Sequence, residues 1–109
     1  MKTVLILGAG GLVGQSLTAL LQSCSDFRVV SLNRAECDVL DEVQLRTQLQ
    51  LHNPAVVINA VGFVPVDRAE QEPESSYRLN FLAPLTIARM MRKLDPIKPV
   101  LSLLFRFRI

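Results

Sequence analysis

Three glycines in an apolar setting, Gly8-x-x-Gly11-x-x-Gly14, have the type and spacing that most directly suggest chemistry in this chain. Backbone without side chains can approach a charged ligand closely, and free amide N–H groups at the positive end of a helix suit a diphosphate. In that arrangement Gly8 and Gly11 serve the turn and the phosphate approach, and Gly14 lets a helix pack tightly on a strand. A plain flexible connection is the other reading of such a cluster, and the patterned segments on both sides argue against it. Asn33-Arg34 lies nineteen positions after Gly14, where sites that read an unmodified ribose carry an acidic residue. The forked guanidinium of Arg34 instead suits a 2′-phosphate, or else it is a solvated surface arginine. Asp38 has two readings of equal standing: a partner for an adenine amino group, or a turn-forming carboxylate. Ala60-Val61-Gly62 offers small residues where a ribose can lie against the backbone.

These residues need elements to hold them. Val4-Leu5-Ile6-Leu7 reads as a buried parallel strand running into the glycine turn, and Leu12, Val13, Leu17, Leu20 and Leu21 then recur at helical spacing. That helix is expected to end between Ser23 and Asp26. Phe27 to Leu32 reads as a second strand, rich in β-branched residues. Asp41 is the expected N-cap of a helix through Glu42, Val43, Leu45, Leu49 and Leu51, with His52 capping the last carbonyls beside Asn53-Pro54. Ala55 to Asn59 forms a third strand, and its unbroken apolar run fits a sheet covered on both faces. Tyr77, Phe81, Leu85, Ala88 and Met91 predict one face of a long helix, with Pro84 expected to cause a kink or a free carbonyl near Asn80. Pro99 to Leu104 reads as a fourth strand, prolonged by the alternation of Phe105 to Ile109.

Strand and helix alternation predicts an α/β fold, specifically a Rossmann-type doubly wound parallel sheet. The expected form is partial, with about four strands and three helices in the order 3-2-1-4, making one NAD(P)-binding domain over residues 1–109. Half of the 109 residues are apolar, enough for one real core. The net charge of +2 is unevenly spread, since Arg89, Arg92, Lys93, Lys98, Arg106 and Arg108 face only Asp95 in the last stretch. No nucleic-acid motif accompanies this basic end, so a solvated helix end is expected, not a nucleic-acid partner. Cys24 and Cys37 lack metal or disulfide spacing, which fits a reducing cytoplasm. No apolar span of ~18 residues follows Met1-Lys2-Thr3, so neither a signal peptide nor a membrane helix is expected.

The chain resembles the amino-terminal part of the extended short-chain dehydrogenase/reductases, and most closely the dTDP-4-dehydrorhamnose reductase family. The resemblance rests on Gly8-x-x-Gly11-x-x-Gly14, Asn33-Arg34-Ala35-Glu36-Cys37-Asp38-Val39 and Pro54-Ala55-Val56-Val57-Ile58-Asn59-Ala60. It continues through Val66-Asp67-Arg68-Ala69-Glu70, Glu72-Pro73-Glu74 and Asn80, covering about residues 2 to 94. The glycine pattern is widely shared, and the Asp67 to Glu74 block is the narrower signature. The resemblance implies reduction of a 4-keto sugar nucleotide by hydride from NADPH or NADH. With Arg34 in place, NADP is the expected cofactor and NAD the alternative. It also implies that Gly8, Gly11, Leu12 and Val13 hold the pyrophosphate and Asp38 and Val39 the adenine. Ala60, Val61 and Gly62 would lie along the ribose and nicotinamide side, and Asn80 would belong to the superfamily's proton relay.

Two departures from the family pattern bear on activity. Val61-Gly62-Phe63-Val64 stands where relatives often have Ala-Ala-Tyr-Thr or Ala-Ala-His-Thr, so a threonine hydroxyl near the substrate is lost. The family's Tyr-x-x-x-Lys pair, in which the lysine charge lowers the tyrosine pKa for proton delivery, is also absent. Tyr77 is the single tyrosine, and Phe81 follows it at that spacing. Leu104-Phe105-Arg106 replaces the Ser-Thr-Asp expected at the end of strand four, as in a truncation or a shifted reading frame. The expectation is therefore a cofactor-binding portion, inactive alone, with no catalytic residue and no metal ligand of its own. The competing readings are a non-catalytic nucleotide-binding interaction module, self-associating through its last strand, and an incomplete product of marginal stability.

Overall fold

The computed structural model describes residues 1–61 and 81–102. The central strand, β1 (Lys2–Leu7), is flanked on one side by β2 (Phe27–Leu32), paired in parallel from Lys2 opposite Phe27 to Leu7 opposite Leu32. On its other side lies β3 (Val56–Asn59), with Val4 opposite Val56 and Leu7 opposite Asn59. β4 (Val100–Ser102) pairs in parallel beyond β3, from Val57 opposite Val100 to Asn59 opposite Ser102. The resulting order is β2-β1-β3-β4.

That order corrects the expected 3-2-1-4. The apolar run Val56-Val57-Ile58 has side chains to bury on both faces, and a place beside β1 satisfies both. Beside β1 the strand pairs from Val4 opposite Val56 to Leu7 opposite Asn59, and among the described residues nothing pairs with the outer edge of β2.

Among the described residues three helices cover the two faces: α1 (Leu12–Gln22), α2 (Glu42–His52) and α3 (Ala83–Leu94). Alternate residues of β1 point to opposite sides of the sheet. Val4 and Ile6 join Ile58 in a cluster against which Leu17 and Leu21 of α1 pack. Leu5 and Leu7 join Leu45 and Leu49 of α2 and Ala83, Ile87, Met90 and Met91 of α3 on the other face. Each fully buried leucine or isoleucine there contributes about 1.5–3 kcal/mol of transfer free energy. The winding reverses at β1, which leaves a crevice at the carboxyl ends of β1 and β3.

Both outer helix faces differ from the periodicity reading. In α1, Leu12 and Leu20 are 84 % and 67 % exposed, and the packed stripe is Gly14, Leu17 and Leu21. Gly14 sets this rotation, because α1 lies so close to the glycine turn there that a Cβ would run into the Gly8 carbonyl oxygen and stand 2.8 Å from the Ala9 Cα. In α3, the buried stripe is Ala83, Ile87, Met90 and Met91, while Phe81 and Ala88 are exposed. Of the expected face, Met91 is buried and Leu85 half-buried, while the row Phe81, Leu85 and Ala88 carried one turn further reaches Arg92, a charge. The observed stripe carries none. Tyr77 lies outside the described residues.

Local chemistry accounts for the helix ends. Asp41 caps α2 as expected, its Oδ1 accepting the amides of Val43 at 3.0 Å and Gln44 at 3.3 Å. At the other end His52 does not cap the carbonyls; its Nε2 lies 3.1 Å from Gln48 Oε1. Asn53 does so instead, in a left-handed conformation (φ 44°) with its N–H donated to the Leu49 carbonyl at 2.9 Å. Pro84 is the second residue of α3, and Phe81-Leu82 form a wider, π-type turn ahead of it. The Asn80 carbonyl lies outside the described residues.

Candidate functional site

The crevice at the winding reversal holds a cleft of about 220 Å³. Its walls come from three strand ends: Gly8, Gly10 and Gly11 after β1; Arg34 and Cys37 to Leu40 after β2; Ala60 and Val61 after β3. The sequence separates these groups by 23 and 20 positions, and the parallel sheet brings them to one edge.

The glycine loop is pinned on both sides. Gly8 and Ala9 donate their amides to the Leu32 carbonyl, each at 3.1 Å, and Ala60 donates to the Leu7 carbonyl at 2.8 Å. Gly8 has φ +80°, and a Cβ there would stand 2.7 Å from the Val61 nitrogen. Only glycine fits that turn. Gly11 is different, because a Cβ there would meet nothing nearer than the Gly8 oxygen at 3.8 Å. Its backbone (φ −77°, ψ 171°) suits any residue. Neither the fold nor the backbone demands glycine at this position, and the space it leaves open faces the cleft.

Gly11 is also the N-cap of α1, with no side-chain cap and no acidic residue in the first turn. The first intrahelical bond runs from Gln15 N–H to the Gly11 carbonyl at 2.9 Å, so the amides of Leu12 and Val13 have no partner within the helix. Gln15 Nε2 donates to the Gly10 carbonyl at 2.8 Å, which occupies an acceptor beside those donors. The start of α2, by contrast, is satisfied by Asp41 and carries Glu42. The open end of α1 carries a partial positive charge toward the cleft.

Beyond β2 the residues form two successive turns. Asn33 and Glu36 exchange side-chain and backbone bonds across the turn that contains Arg34, which is exposed and lines the cleft. Asp38 is a turn former, its Oδ1 accepting the Leu40 amide at 3.0 Å, and it also lines the cleft. Val39 is buried in the α2–α3 core cluster and contributes to the cleft floor. Cys37 is 3 % exposed. Burial, followed by the negative charges of Asp38 and Asp41, pushes its thiol pKa up, which favours the neutral thiol.

At the end of β3, Asn59 is the buried polar residue of this region, 1 % exposed. Its Oδ1 accepts the Val61 amide at 3.0 Å and its Nδ2 donates to Ser102 Oγ at 3.4 Å, joining the cleft wall to β4. Sequence reasoning did not assign Asn59 a role. The available signal was a lone amide closing an apolar strand. The Asn33–Glu36 pair was also missed, although Asn-x-x-Glu is a capping signature. Gly62 and Asn80 lie outside the described residues. Among the described residues no cluster of three histidine, cysteine or acidic side chains is arranged to hold a metal ion. No described helix is long and apolar enough to cross a membrane.

A parallel sheet wound in both directions, with a glycine turn feeding a helix at the reversal, defines a Rossmann-type nucleotide-binding fold. The family model described as the RmlD substrate binding domain matches residues 1–97, and the chain belongs to that family. The dTDP-4-dehydrorhamnose reductase of Streptomyces griseus is 34 % identical over 98 residues, covering 90 % of this chain and 32 % of that protein. The chain thus spans about a third of the length of the curated relative it matches. Among solved structures, dTDP-4-dehydrorhamnose reductase from Bacillus anthracis in complex with NADP superposes with a TM-score of 0.81 at 22 % identity. That match covers 86 % of this chain and 34 % of the other. UDP-glucose 4-epimerase from Brucella ovis in complex with NAD gives 0.80 at 22 % identity, covering 94 % and 35 %. At such identities the superpositions establish the fold. The sequence relatives make this a sugar-nucleotide reductase-like region.

Proposed function

We propose that these 109 residues are the NAD(P)-binding portion of a sugar-nucleotide reductase acting on a 4-keto sugar, and that alone they bind the dinucleotide without turnover. The observation that carries the reading is the uncapped start of α1 at Gly11, where fold and backbone leave room that only an approaching ligand uses. The residues present fit the group. Gly8, Gly11, Leu12 and Val13 would face the diphosphate with main-chain amides. Asp38 and Val39 would border the adenine, and Ala60, Val61 and Gly62 the ribose and nicotinamide side.

Arg34 favours NADP over NAD, since a guanidinium pairs a 2′-phosphate through two parallel bonds. The bound dinucleotide would supply hydride to a ketone carbon. This chain's residues would orient it, with Asn80 in the proton relay. Protonation of the ketone oxygen needs a tyrosine of lowered pKa, and Tyr77 has Phe81, not lysine, four positions on. The proposed setting is the cytoplasm, in keeping with two separate thiols and with a role on nucleotide sugars.

Titration of the purified chain with NADPH, followed by nicotinamide fluorescence, tests the reading. Weak saturable binding with no NADPH oxidation on adding a keto-sugar nucleotide is expected; measurable turnover refutes the inactivity. A second reading, a non-catalytic module that self-associates through its last strand, draws on β4, whose Leu101 is 54 % exposed. Dimerisation lost on removing residues 105–109 supports it, and a monomer with and without that tail rejects it.

A further inference from the structure

The peptide unit joining Leu32 to Asn33 is gripped from both sides. Its carbonyl accepts the amides of Gly8 and Ala9, and its N–H donates to Glu36 Oε1 at 2.8 Å. Glu36 returns its own amide to Asn33 Oδ1 at 3.0 Å, and the Cys37 amide reaches the Asn33 carbonyl at 2.9 Å. This is the reciprocal cap of a helix start, used here to close the single turn that carries Arg34. Asn33 also abuts the glycine loop, since a Cβ on Gly10 would stand 3.4 Å from its own Cβ. A carboxylate on the N–H polarises the peptide and strengthens the two bonds its carbonyl accepts. All four residues of the turn are exposed, so core stability does not account for the arrangement.

We infer that Asn33 and Glu36 are positioning residues that fix the separation between Arg34 and the glycine loop, and through it the preference for a dinucleotide bearing a 2′-phosphate. The inference rests on the reading of Arg34 proposed above. Charge alone predicts the reverse for Glu36, because a carboxylate beside a 2′-phosphate repels it and its removal would tighten binding. The two accounts therefore differ in sign.

The test measures NADPH and NADH affinity by titration of the full chain, as wild type and as Arg34→Ala, Glu36→Ala, Glu36→Gln, Asn33→Ala and the Arg34→Ala/Glu36→Ala double variant. Glu36→Ala is expected to lower the NADPH to NADH affinity ratio about tenfold, with Asn33→Ala in the same direction. Glu36→Gln keeps the acceptor and is expected to hold the ratio within about twofold. On the Arg34→Ala background, Glu36→Ala should change the ratio no further, because the pair acts through the arginine. A ratio unchanged or raised by Glu36→Ala, with Arg34→Ala still lowering it, overturns the inference and leaves the arginine reading intact. A ratio indifferent to Arg34→Ala overturns that reading and the inference with it, and wild-type chain that binds neither dinucleotide overturns both.

Discussion

Gly11→Asp separates what the fold wants at the start of α1 from what a ligand wants. The backbone there is extended and the nearest atom to a new Cβ is 3.8 Å away, so the substitution brings no clash and no strain. Aspartate is a preferred N-cap, and its carboxylate would accept the amides of Val13 or Gly14. Together with its charge at the positive helix end, the gain is about 0.5–1 kcal/mol, or a rise in Tm of about 2–5 °C for a chain of this size. Binding moves the other way. At about 5 Å and an effective dielectric of about 20, the carboxylate repels each unit of diphosphate charge by about 3 kcal/mol. Screening at this exposed helix end reduces that figure, and a loss of about tenfold or more in dinucleotide affinity remains. Calorimetric titration with NADPH beside a thermal melt gives both readouts. A variant that is both more stable and equally tight refutes the assignment of these amides to the diphosphate, and a variant that is less stable refutes the account of the uncapped end.

Other substitutions test the scaffold. Gly14→Ala drives a Cβ into the Gly8 carbonyl oxygen and to 2.8 Å from the Ala9 Cα; both are backbone atoms, so a loss of about 1–3 kcal/mol is expected by urea unfolding. Asn59→Leu keeps the branched shape but leaves the Val61 amide without its acceptor, with an expected cost of about 1–3 kcal/mol in the same assay. Cys37, whose thiol pKa is raised by burial and by Asp38 and Asp41, contributes stability that is complete below the ordinary thiol pKa. That contribution fades as pH rises through the raised value. Unfolding free energies measured at alkaline pH should fall more steeply for the wild type than for Cys37→Ala, and parallel curves would contradict the burial argument.

The bounds of the elements were legible because each had a local cause. The strand Val4 to Leu7, the cap at Asp41 and the apolar run at Val56 to Ile58 announce themselves within a few residues. Gly14 as the point of helix–strand contact was legible from spacing alone. Strand order was not, since the apolar run at Val56 to Ile58 would read the same beside β1 or outside β2, and only the assembled pairing places it beside β1. Helix rotation failed for a related reason. The five apolar residues of α1 span more than one face, and the contact between Gly14 and the Gly8 carbonyl decides which of them is buried. Of the site, the glycine loop, Arg34 and Asp38 were found by type and spacing and now line one cleft. Asn59 and Glu36 were not found, because they act on the backbone of their neighbours across loops whose closure no periodicity reveals.

The central claim is that main-chain amides at the start of α1 receive a diphosphate. Amide chemical shifts of the ¹⁵N-labelled chain during titration with NADP test it most directly. The account predicts saturable shifts concentrated at Gly10, Gly11, Leu12 and Val13, reproduced in part by ADP-ribose and reduced in Gly11→Asp. Saturable shifts confined to other parts of the chain, with these four amides unmoved, would contradict it.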